Sequence, residues 1–411
     1  MNCRHCHTPL KQTFLDLGFA PPSNAYLTKE DLNKPELYFP LKLKVCTNCW
    51  LVQTVDYTQA SELFSPHYAY FSSTSSGWLA HARHYCEKII DSINLNKDSL
   101  VIEIASNDGY LLRNFVDAGI PCLGIEPTAS TAIAAEKLGI PVIREFFGLA
   151  MAKQLSNTNQ KADLIIGNNV FAHVPDINDF TTGLKTALKT NGTITLEFPH
   201  LLQLIKHNQF DTIYHEHFSY LSLYTVRNIF AKAGLRVFDV EELPTHGGSL
   251  RIYGCHVDDI RPDTHAIESI LFTELQDGLQ TLETYLGFQS RVDIIKNDLL
   301  SFLLDQKKEG KKVAAYGAAA KGNTLLNYAG IKPDLLPVVC DAAPSKQGKY
   351  MPGSHIPIKK PGLLKEIKPD IVLILPWNIA KEVIDQHQYI NDWAGKFIIA
   401  VPEINILELP V

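Results

Sequence analysis

Hydrophobic positions in the central part of the chain alternate between strand-like and helix-like spacing. Short apolar runs predict strands at residues 100–103, 122–125, 141–143, 162–166 and 193–198. Helical patterns lie between them, from about residue 110, at residues 129–138 and near residue 150. Strands that alternate with helices predict an open parallel sheet, which binds its ligands at the carboxyl ends of the strands.

A second alternation begins near residue 312. Residues 312–326 read as a strand, a turn of small residues and a helix, and further strands are predicted at 337–340, 371–375 and 397–401. Gly317, Ala319 and Gly322 match GxAxxG, and Asp341 ends the next strand. The helix N-terminus, helped by Lys321, suits a phosphate. A nicotinamide cofactor, the diphosphate of a nucleotide-linked substrate and simple packing remain open at this turn.

The flanking segments predict additional structure. Strand alternation at residues 14–18 and 41–45 indicates a small N-terminal β-structure, and residues 226–233, 235–241 and 249–253 read as a helix and two paired strands. From residue 264 to about 308 the period is helical, which we interpret as a bridge between domains.

Composition narrows the class of protein. The 411 residues are 45% hydrophobic and 20% charged, as in soluble proteins with two or three domains. A net charge of −6 gives no general attraction to nucleic acid. We expect a cytoplasmic protein with no membrane partner, since no apolar run has spanning length and no signal peptide is evident. The sequence leaves the oligomeric state open.

Four of the eight cysteines form two CxxC pairs, Cys3/Cys6 and Cys46/Cys49. Each CxxC turn presents two sulfurs to one ion, so the two pairs predict a four-thiolate zinc site. His5 and His7 are possible substitute ligands, but four sulfurs are favoured. Four protein ligands leave no open position for a substrate, and we therefore expect the zinc to be structural.

The first central strand ends in Glu103 and continues through a turn of small residues to Gly109. Glu126 ends the next strand, at the spacing where an acid binds ribose hydroxyls. Ala105 and Asn107 stand where a dinucleotide enzyme usually has glycine, so a ligand without phosphates fits better. S-adenosylmethionine (SAM) is such a ligand, and its cationic groups suit Glu103, Asp108 and Glu126. An acidic turn in some other α/β enzyme is the alternative.

Polar residues also follow the fourth strand. Asn168, Asn169 and Phe171 fall where adenosine and methionyl contacts are expected in such a sheet. His173 comes two residues later, near the methyl group if the ligand is SAM. The predicted cofactor-binding residues are Glu103, Ser106, Asn107, Asp108, Gly109, Glu126, Asn168, Asn169 and Phe171.

The segment YHEHFSY, residues 214–220, concentrates titratable side chains. In an extended segment, Tyr214 and Glu216 would face one way, and His215 and His217 the other. We interpret it as a catalytic base segment, in which His217 accepts a proton because a near-neutral imidazole is a base at working pH. A solvated loop or interface histidines are the alternative. The turn at residues 245–248 either holds a substrate-facing histidine or is only a turn.

These strings together resemble SAM-dependent C-methyltransferases of nucleotide-linked deoxysugars. The resemblance covers nearly the whole chain and includes HYAYFSSTSSGW, EIASNDGYLL, NNVFAHV, YHEHFSY, GAAAKGN and the paired CxxC motifs. It implies a zinc-binding domain, a class I (seven-stranded, Rossmann-like) methyltransferase core and a C-terminal Rossmann-like α/β domain that binds a nucleotide-diphosphate sugar. We place these at residues 1–66, 67–258 and 309–411, with a helical bridge at 259–308.

The resemblance also implies roles for individual residues. Glu216 and His217 act as the base pair, with Glu216 orienting or relaying, and Tyr68 (or Tyr70), His173 and Tyr214 contact the keto oxygen and the sugar ring. The implied reaction is methylation of C3 or C5 of a 4-keto-6-deoxy sugar through an enolate. The alternatives are an O- or N-methyltransferase, a zinc-containing RNA methyltransferase, an NAD(P)-dependent oxidoreductase and, last, a non-catalytic scaffold.

Overall fold

The computed structural model describes residues 1–55, 71–74 and 76–407, and these residues form three β-sheets with helices around them. No helix in these ranges combines the length and the apolar character that crossing a membrane requires. The predicted α/β fold is correct in its main features, and its three sheets follow the N-terminal, central and C-terminal parts of the sequence.

The central sheet has seven strands in the order β10-β11-β8-β7-β4-β5-β6. Strands β4 to β8 are parallel, whereas β11 runs antiparallel to both of its neighbours. The strands are β4 Val101–Ile104, β5 Cys122–Ile125, β6 Val142–Ile143, β7 Ala162–Asn168, β8 Leu188–Pro199, β10 Leu235–Leu243 and β11 Ser249–His256. This order, with one reversed strand beside the fifth, is that of the class I methyltransferase fold.

Helices pack on both faces of the central sheet, since its strands are apolar runs buried on both sides. They are α1 Ser76–Ser92, α2 Arg113–Asp117, α3 Ala129–Glu136, α4 Leu149–Asn157, α5 Ile177–Ala187, α6 Leu201–Lys206 and α7 Leu223–Ala233. The helix after the first strand begins at Arg113, three residues later than predicted, because residues 106–112 form turns around the positive-φ residues Asn107 and Gly109.

The N-terminal sheet contains four strands, of which only three come from the N-terminal segment. Strands β1 Gln12–Ala20, β2 Phe39–Val45 and β3 Val52–Thr54 pair antiparallel in sequence order. The fourth strand, β9 Ser219–Tyr220, comes from the end of the YHEHFSY segment and pairs with β3. The N-terminal sheet therefore continues directly into the segment that carries the predicted base.

Three helices, α8 His265–Gln276, α9 Leu282–Leu286 and α10 Phe288–Lys308, occupy the region predicted as a helical bridge. Phe288, Val292, Ile295, Leu299 and Leu303 lie on one face of α10 and are buried. They share one hydrophobic core with Phe14 of β1 and with residues of the C-terminal sheet. The apolar stripe of α10 thus joins the first and the last parts of the chain.

The C-terminal sheet has six strands in the order β14-β13-β12-β15-β16-β17, and all its pairings are parallel except that of the edge strand β17. The strands are β12 Val313–Tyr316, β13 Val339–Cys340, β14 Ile358–Lys359, β15 Ile371–Ile374, β16 Lys396–Ile399 and β17 Asn405–Leu407. Its helices are α11 Ala320–Ala329, α12 Leu363–Ile367 and α13 Ala380–Gln386. This is the Rossmann-like arrangement that the second alternation predicts.

Candidate active site

The four cysteines of the two CxxC pairs meet at one point. Their sulfurs all lie within 4.8 Å of one another, with Cys3 3.6 Å from Cys49 and Cys6 3.4 Å from Cys46. Four converging thiols supply the full tetrahedral ligand set of a structural zinc ion. The converging ligand atoms found among the described residues are the four cysteine sulfurs, while His5 Nδ1 hydrogen-bonds Asn178 Oδ1 of α5 at 2.8 Å.

The turn after β4 takes a glycine-like path without glycine at its start. Ala105 and Asn107 have φ values of +56° and +49°, a left-handed conformation that asparagine tolerates better than alanine. Gly109 is required, because its φ is +78° and a Cβ there would lie 2.5 Å from Ile140. The backbone amides of Ser72 and Ser73 donate to Asn107 Oδ1 and Asp108 Oδ2, so the hydroxyl-rich segment before α1 covers this turn.

Three buried carboxyl groups converge beside the turn. Glu126 is held rigidly, since its two oxygens accept the amides of Asn107 at 3.0 Å and of Thr128 at 2.8 Å. Burial, with repulsion from Glu126 and Asp108, raises the pKa of Glu103 well above its usual range. Glu103 Oε2 and Asp108 Oδ1 have no hydrogen-bond partner among the described residues. A cationic ligand with hydroxyl and amino donors would satisfy these oxygens and relieve the repulsion. The three carboxyl groups therefore fit SAM as a ligand.

The other residues predicted to bind the cofactor have different surroundings in the structure. Ser106 lies beneath the turn, where its Oγ would be 2.5 Å from a Cβ at Gly124. Asn168 ends β7, and Asn169 donates from Nδ2 to His246 Nε2 at 3.1 Å. Phe171 is fully buried and packs against Phe180, Phe198 and Phe230, so its side chain belongs to the hydrophobic core, and its role toward the cofactor stays a prediction.

The YHEH residues form a turn and not the extended segment considered from the sequence. The amide of His217 donates to the carbonyl oxygen of Tyr214 at 3.0 Å, which closes the turn. The expected separation of Tyr214 and Glu216 from the two histidines on opposite faces is therefore wrong. The ring of Tyr214 instead lies against that of His217, with the ring centroids 4.0 Å apart.

His217 is held in one tautomer by the backbone. Its Nδ1–H donates to the carbonyl oxygen of Thr212 at 3.0 Å, because a carbonyl oxygen only accepts. The lone pair is consequently on Nε2, which has no hydrogen-bond partner in the part of the chain that the structure describes. Burial, with repulsion from the nearby His173, lowers the pKa of His217 well below its usual range. The imidazole is thus neutral at neutral pH, with its lone pair on Nε2.

His173 packs against the same imidazole. The two ring centroids are 4.6 Å apart, and His173 Nδ1–H donates to the backbone carbonyl of Glu216 at 2.8 Å. Burial lowers the pKa of His173 to about 4. His173, His217 and Tyr214 therefore form one aromatic cluster, in which both imidazoles are neutral at physiological pH.

Glu216 and His215 point away from this cluster toward the N-terminal domain. Glu216 Oε1 accepts from Asn24 Nδ2 at 3.0 Å, and His215 Nε2 donates to the carbonyl oxygen of Phe39 at 3.3 Å. Burial raises the pKa of Glu216 to about 7. The expected orienting contact from Glu216 to His217 is not formed, and Thr212 supplies it instead.

The turn that contains His246, whose role the sequence left open, also lies near these residues. His246, in the turn Thr245–Gly247, has a φ of +55°, and its ring lies 5.4 Å from that of Trp78. Thr245 anchors the loop through a 2.9 Å hydrogen bond to Glu197 at the end of β8. Although burial raises it, hydrogen bonding by His81 and the charge of Arg251 lower the pKa of Glu197 to about 2. This buried ionic network holds the loop that carries His246, and His246 itself contacts Asn169 and Trp78.

Lys321, Trp377 and Asn378 of the C-terminal domain lie beside these loops of the methyltransferase domain. Lys321 Nζ donates to Asn378 Oδ1 at 2.8 Å and lies 4.5 Å from the centroid of the Trp377 ring. Burial, opposed by the charge of Asp211, lowers the pKa of Lys321 to about 8. The sequence associated Lys321 with a phosphate, but it contained no signal that pairs Trp377 with Asp211, because 166 positions separate them.

The residues of the GxAxxG turn mainly stabilise the turn itself. Gly317 has a φ of +89° and Gly322 packs against Leu375, as close helix–strand contact requires. Asp341 accepts the amides of Ala318 and Ala343, so both carboxylate oxygens are already bonded within the turn. Asp341 is therefore fixed by the backbone of its own turn, as Glu126 is in the central sheet. Tyr68 and Tyr70, also predicted as site residues, lie outside the described residues.

Comparison with known proteins agrees with this architecture. Sequence profiles match residues 3–64 as a zinc binding domain, residues 78–240 as a methyltransferase domain and residues 244–402 as a C-methyltransferase C-terminal domain. C-methyltransferase NovU of Streptomyces niveus is 33% identical over 408 residues, which cover 98% of this chain and 96% of that protein.

Solved methyltransferase structures resemble the chain more distantly. One is the complex between the Haloferax volcanii Trm112 methyltransferase activator and a methyltransferase, at 15% identity and a TM-score of 0.36, covering 44% of this chain and 92% of that chain. Another is magnesium protoporphyrin IX methyltransferase of Synechocystis PCC 6803, at 14% identity and a TM-score of 0.35, covering 44% and 83% of the two chains.

The seven-stranded sheet, the acidic turn and the matched profiles define a SAM-dependent methyltransferase with a zinc-binding domain. Similarity to NovU extends over nearly all of the sequence and is not confined to the common cofactor fold. The chain belongs to the C-methyltransferase family, and carbon is accordingly the atom that it methylates, in preference to the oxygen or nitrogen acceptors considered from the sequence.

Proposed function

We propose that this C-methyltransferase methylates C3 or C5 of a nucleotide-linked 4-keto-6-deoxy sugar, with His217 as the catalytic base. The observation that carries the proposal is the 3.0 Å hydrogen bond from His217 Nδ1 to Thr212, which leaves a buried, neutral Nε2 as a proton acceptor. Methylation at carbon requires an electron pair at that carbon, and a sugar C–H loses its proton readily only beside a carbonyl group.

The proposed reaction has two steps, removal of a proton from carbon and transfer of a methyl group to that carbon. His217 Nε2 accepts the proton from the carbon beside the ketone, and the electron pair of the broken C–H bond is delocalised onto the ketone oxygen. SAM, when bound, would supply an electrophilic methyl group, so that the electron pair at the carbon forms the C–C bond while the S–CH3 pair stays on the sulfur. A positioned base contributes about 10²–10⁴-fold to such a reaction.

The neighbours of His217 suit different parts of the substrate. The phenol of Tyr214 is a donor for the ketone oxygen as negative charge develops there, and a donor of this kind is worth about 10²–10³-fold. His173 donates its Nδ1–H to Glu216, so its Nε2 is an acceptor in the neutral ring and suits a sugar hydroxyl. Tyr68 or Tyr70 has the same assigned role toward the ketone and the ring.

The cofactor would be held at the other side of the cleft. Glu126, fixed by two backbone amides, suits the ribose hydroxyls, and Glu103 and Asp108 suit the cationic groups. Ser106, Asn107 and Gly109 shape the turn, and Asn168 and Asn169 lie at the end of the fourth strand beside it. Methyl donor and base would then approach the same carbon from the two walls of the cleft.

Support for a nucleotide diphosphate comes from the C-terminal domain. Lys321 lies in the first turn of α11, so its ammonium group and the helix N-terminus both favour an anion in the cleft. Asn378 and the Trp377 ring hold that ammonium in place.

The direct experiment incubates the zinc-loaded protein with SAM and a panel of dTDP-, GDP- and CDP-linked 4-keto-6-deoxy sugars. We expect a gain of one methyl group in one nucleotide series, detected by mass spectrometry, and none with the corresponding 4-hydroxy sugars, whose ring C–H groups lack an adjacent carbonyl. Methylation of the 4-hydroxy sugars would refute the enolate mechanism.

A further inference from the structure

Trp377 of the C-terminal domain contacts two separate loops of the methyltransferase domain. Its Nε1–H donates to Asp211 Oδ2 at 2.7 Å. The far edge of the indole covers Gly247, where an added Cβ would lie 2.4 Å from Cη2 of Trp377. One side chain therefore touches both the loop that ends in His246-Gly247 and the turn that precedes the base.

The partner of Trp377 is a carboxylate with no exposed surface. Burial raises the pKa of Asp211 to about 6, against the opposing effects of Lys321 and of the Trp377 N–H. A buried carboxylate is costly without hydrogen-bond donors. Backbone amides of its own turn supply some of those of Asp211, and the indole N–H is the donor that ties this turn to the C-terminal domain.

That turn, Phe210–Thr212, ends in the residue that fixes the base. The carbonyl oxygen of Thr212 accepts from His217 Nδ1, and the Thr212 hydroxyl is in turn tied to the carbonyl of Gln209 at 2.7 Å. Gln209 Nε2 also donates to the carbonyl oxygen of Gly247 at 2.7 Å. Both loops that Trp377 contacts are thus linked to each other behind the imidazole.

We propose that Trp377 is a positioning residue for the base: through Asp211 it holds the Thr212 carbonyl, and thereby sets the Nδ1–H tautomer and the ring orientation of His217. The inference rests on the proposed function, in which His217 is the base. The C-terminal domain then completes the catalytic site in addition to presenting a surface to the substrate, and the base is in its working geometry only when the two domains are in contact.

The position of the Thr212 carbonyl matters for catalysis because of the chemistry of a neutral imidazole. It has one acceptor nitrogen, and the hydrogen bond at the other nitrogen decides which one it is. If the Thr212 carbonyl moves, a share of His217 adopts the other tautomer and places N–H where the lone pair is needed. Small misplacements of this kind cost about 10–100-fold in rate.

The test compares two matched tryptophan substitutions in the full-length zinc-loaded protein. Trp377→Phe keeps a ring against Gly247 but removes the N–H donor. Trp393→Phe removes an equivalent indole hydrogen bond, to the carbonyl oxygen of Pro369 at 2.9 Å, elsewhere in the same domain. We expect Trp377→Phe to lower kcat about 10–100-fold with the Kd for SAM within about twofold, and Trp393→Phe to change neither.

A spectroscopic readout separates positioning from general damage. In ¹⁵N-histidine spectra, with His217 assigned by comparison with His217→Asn, the parent should show a protonated Nδ1 and an unprotonated Nε2. Trp377→Phe should show mixed tautomers at His217, whereas Trp393→Phe should match the parent. An unchanged His217 tautomer in a folded Trp377→Phe protein would overturn the inference.

Asp211 provides a second pair of variants if Trp377→Phe does not fold. Asp211→Asn retains an oxygen that accepts the indole N–H and should keep the tautomer and most of kcat, whereas Asp211→Ala should lose both. Equal behaviour of the two variants would overturn the inference as well. Full methylation by His217→Asn would instead remove the proposed function, since the base itself would then be wrongly assigned.

Discussion

Gln53 lies opposite Ser219 in the N-terminal sheet, and its side chain contacts the cysteine cluster. The backbone of Gln53 pairs with that of Ser219, while its Nε2 is 3.3 Å from the sulfur of Cys3. Ser219 comes two residues after His217, so a single strand residue connects the zinc ligands to the base segment. The zinc-binding domain is therefore part of the scaffold of the active site.

This connection predicts how zinc removal should act. Stripping the metal with a chelator, or the substitution Cys49→Ser, should loosen the pairing of β3 with β9 and increase hydrogen–deuterium exchange in residues 214–220. Methylation should fall while SAM binding changes little, since the acidic turn belongs to the central sheet. Cys340→Ser, a buried thiol in the C-terminal sheet, is the control. Unchanged exchange in residues 214–220 after metal loss would contradict the scaffold role.

The role of His217 is tested by His217→Asn. We expect solvent-deuterium exchange at the carbon beside the ketone to disappear together with methylation, a loss of about 10²–10⁴-fold. His215→Asn is the matched control, because His215 is directed to the carbonyl of Phe39, away from the cluster, and should stay within a few-fold of the parent. Retained solvent-deuterium exchange in His217→Asn would show that His217 is not the base.

Glu216 should make stability depend on pH. Its folded-state pKa of about 7 lies above the value of 4.5 for a free glutamate, so its stabilising contribution is fully present below pH 4.5 and is lost as the pH rises to about 7. Glu216→Gln keeps an acceptor for Asn24 and removes the buried charge. We expect it to stabilise the protein at pH 8 by about 1–3 kcal/mol, and much less at pH 5.

Thermal melting across this pH range measures the effect of Glu216→Gln, with the exposed Glu242→Gln as the control. A melting-temperature difference that is equal at pH 5 and pH 8 would show that the buried charge of Glu216 is not its source.

The acidic pocket should release a proton when SAM binds. Glu103 has a raised pKa in the free protein, and a cation beside it lowers that pKa, so binding drives the proton off. The affinity for SAM should consequently increase as the pH rises. Calorimetric titrations in buffers of different ionisation enthalpy report the released proton directly. Glu103→Gln should weaken binding and abolish the buffer dependence, and a dependence that persists in this variant would point to another group.

Gly247 should tolerate a side chain poorly. Its φ is +90° and a Cβ would meet the Trp377 ring at 2.4 Å. Gly348 has a similar φ of +80° but no atom within 4 Å of a Cβ, so Gly348→Ala measures the backbone strain alone. We expect Gly247→Ala to cost about 1–3 kcal/mol more in stability than Gly348→Ala, from overpacking at the domain contact. Equal costs in denaturant unfolding would mean that the indole moves aside freely.

Several features could be predicted because they depend on residues close together in sequence. The CxxC turns each bring two thiols together, and the spacing of the second pair leaves room for β1 and β2. The strand, acid and turn from Glu103 to Gly109 form from local pattern alone, and they predict where the cofactor binds. The shared left-handed conformation of Ala105 and Asn107 was not predictable, since neither residue type requires it.

Packing contributed features that the local pattern does not show. Phe171 follows the fourth strand, as a cofactor contact would, and its side chain packs against Phe180 and Phe198 in the core. Alternation in YHEH assumed an extended chain, whereas hydrogen bonds from three directions bend it into a turn: Asn24 binds Glu216, Phe39 binds His215 and Thr212 binds His217.

The amino-acid sequence by itself determined the order of strands and helices, the zinc ligands and the kinds of side chain available for catalysis, because periodicity and motif spacing act over a few residues. The tertiary structure decided which nitrogen of His217 carries the lone pair and which residues support it. Those contacts join residues as far apart as Asn24 and Glu216, 192 positions, or Asp211 and Trp377, 166 positions. Pairings over such distances arise only when whole domains pack together, and no local pattern encodes them.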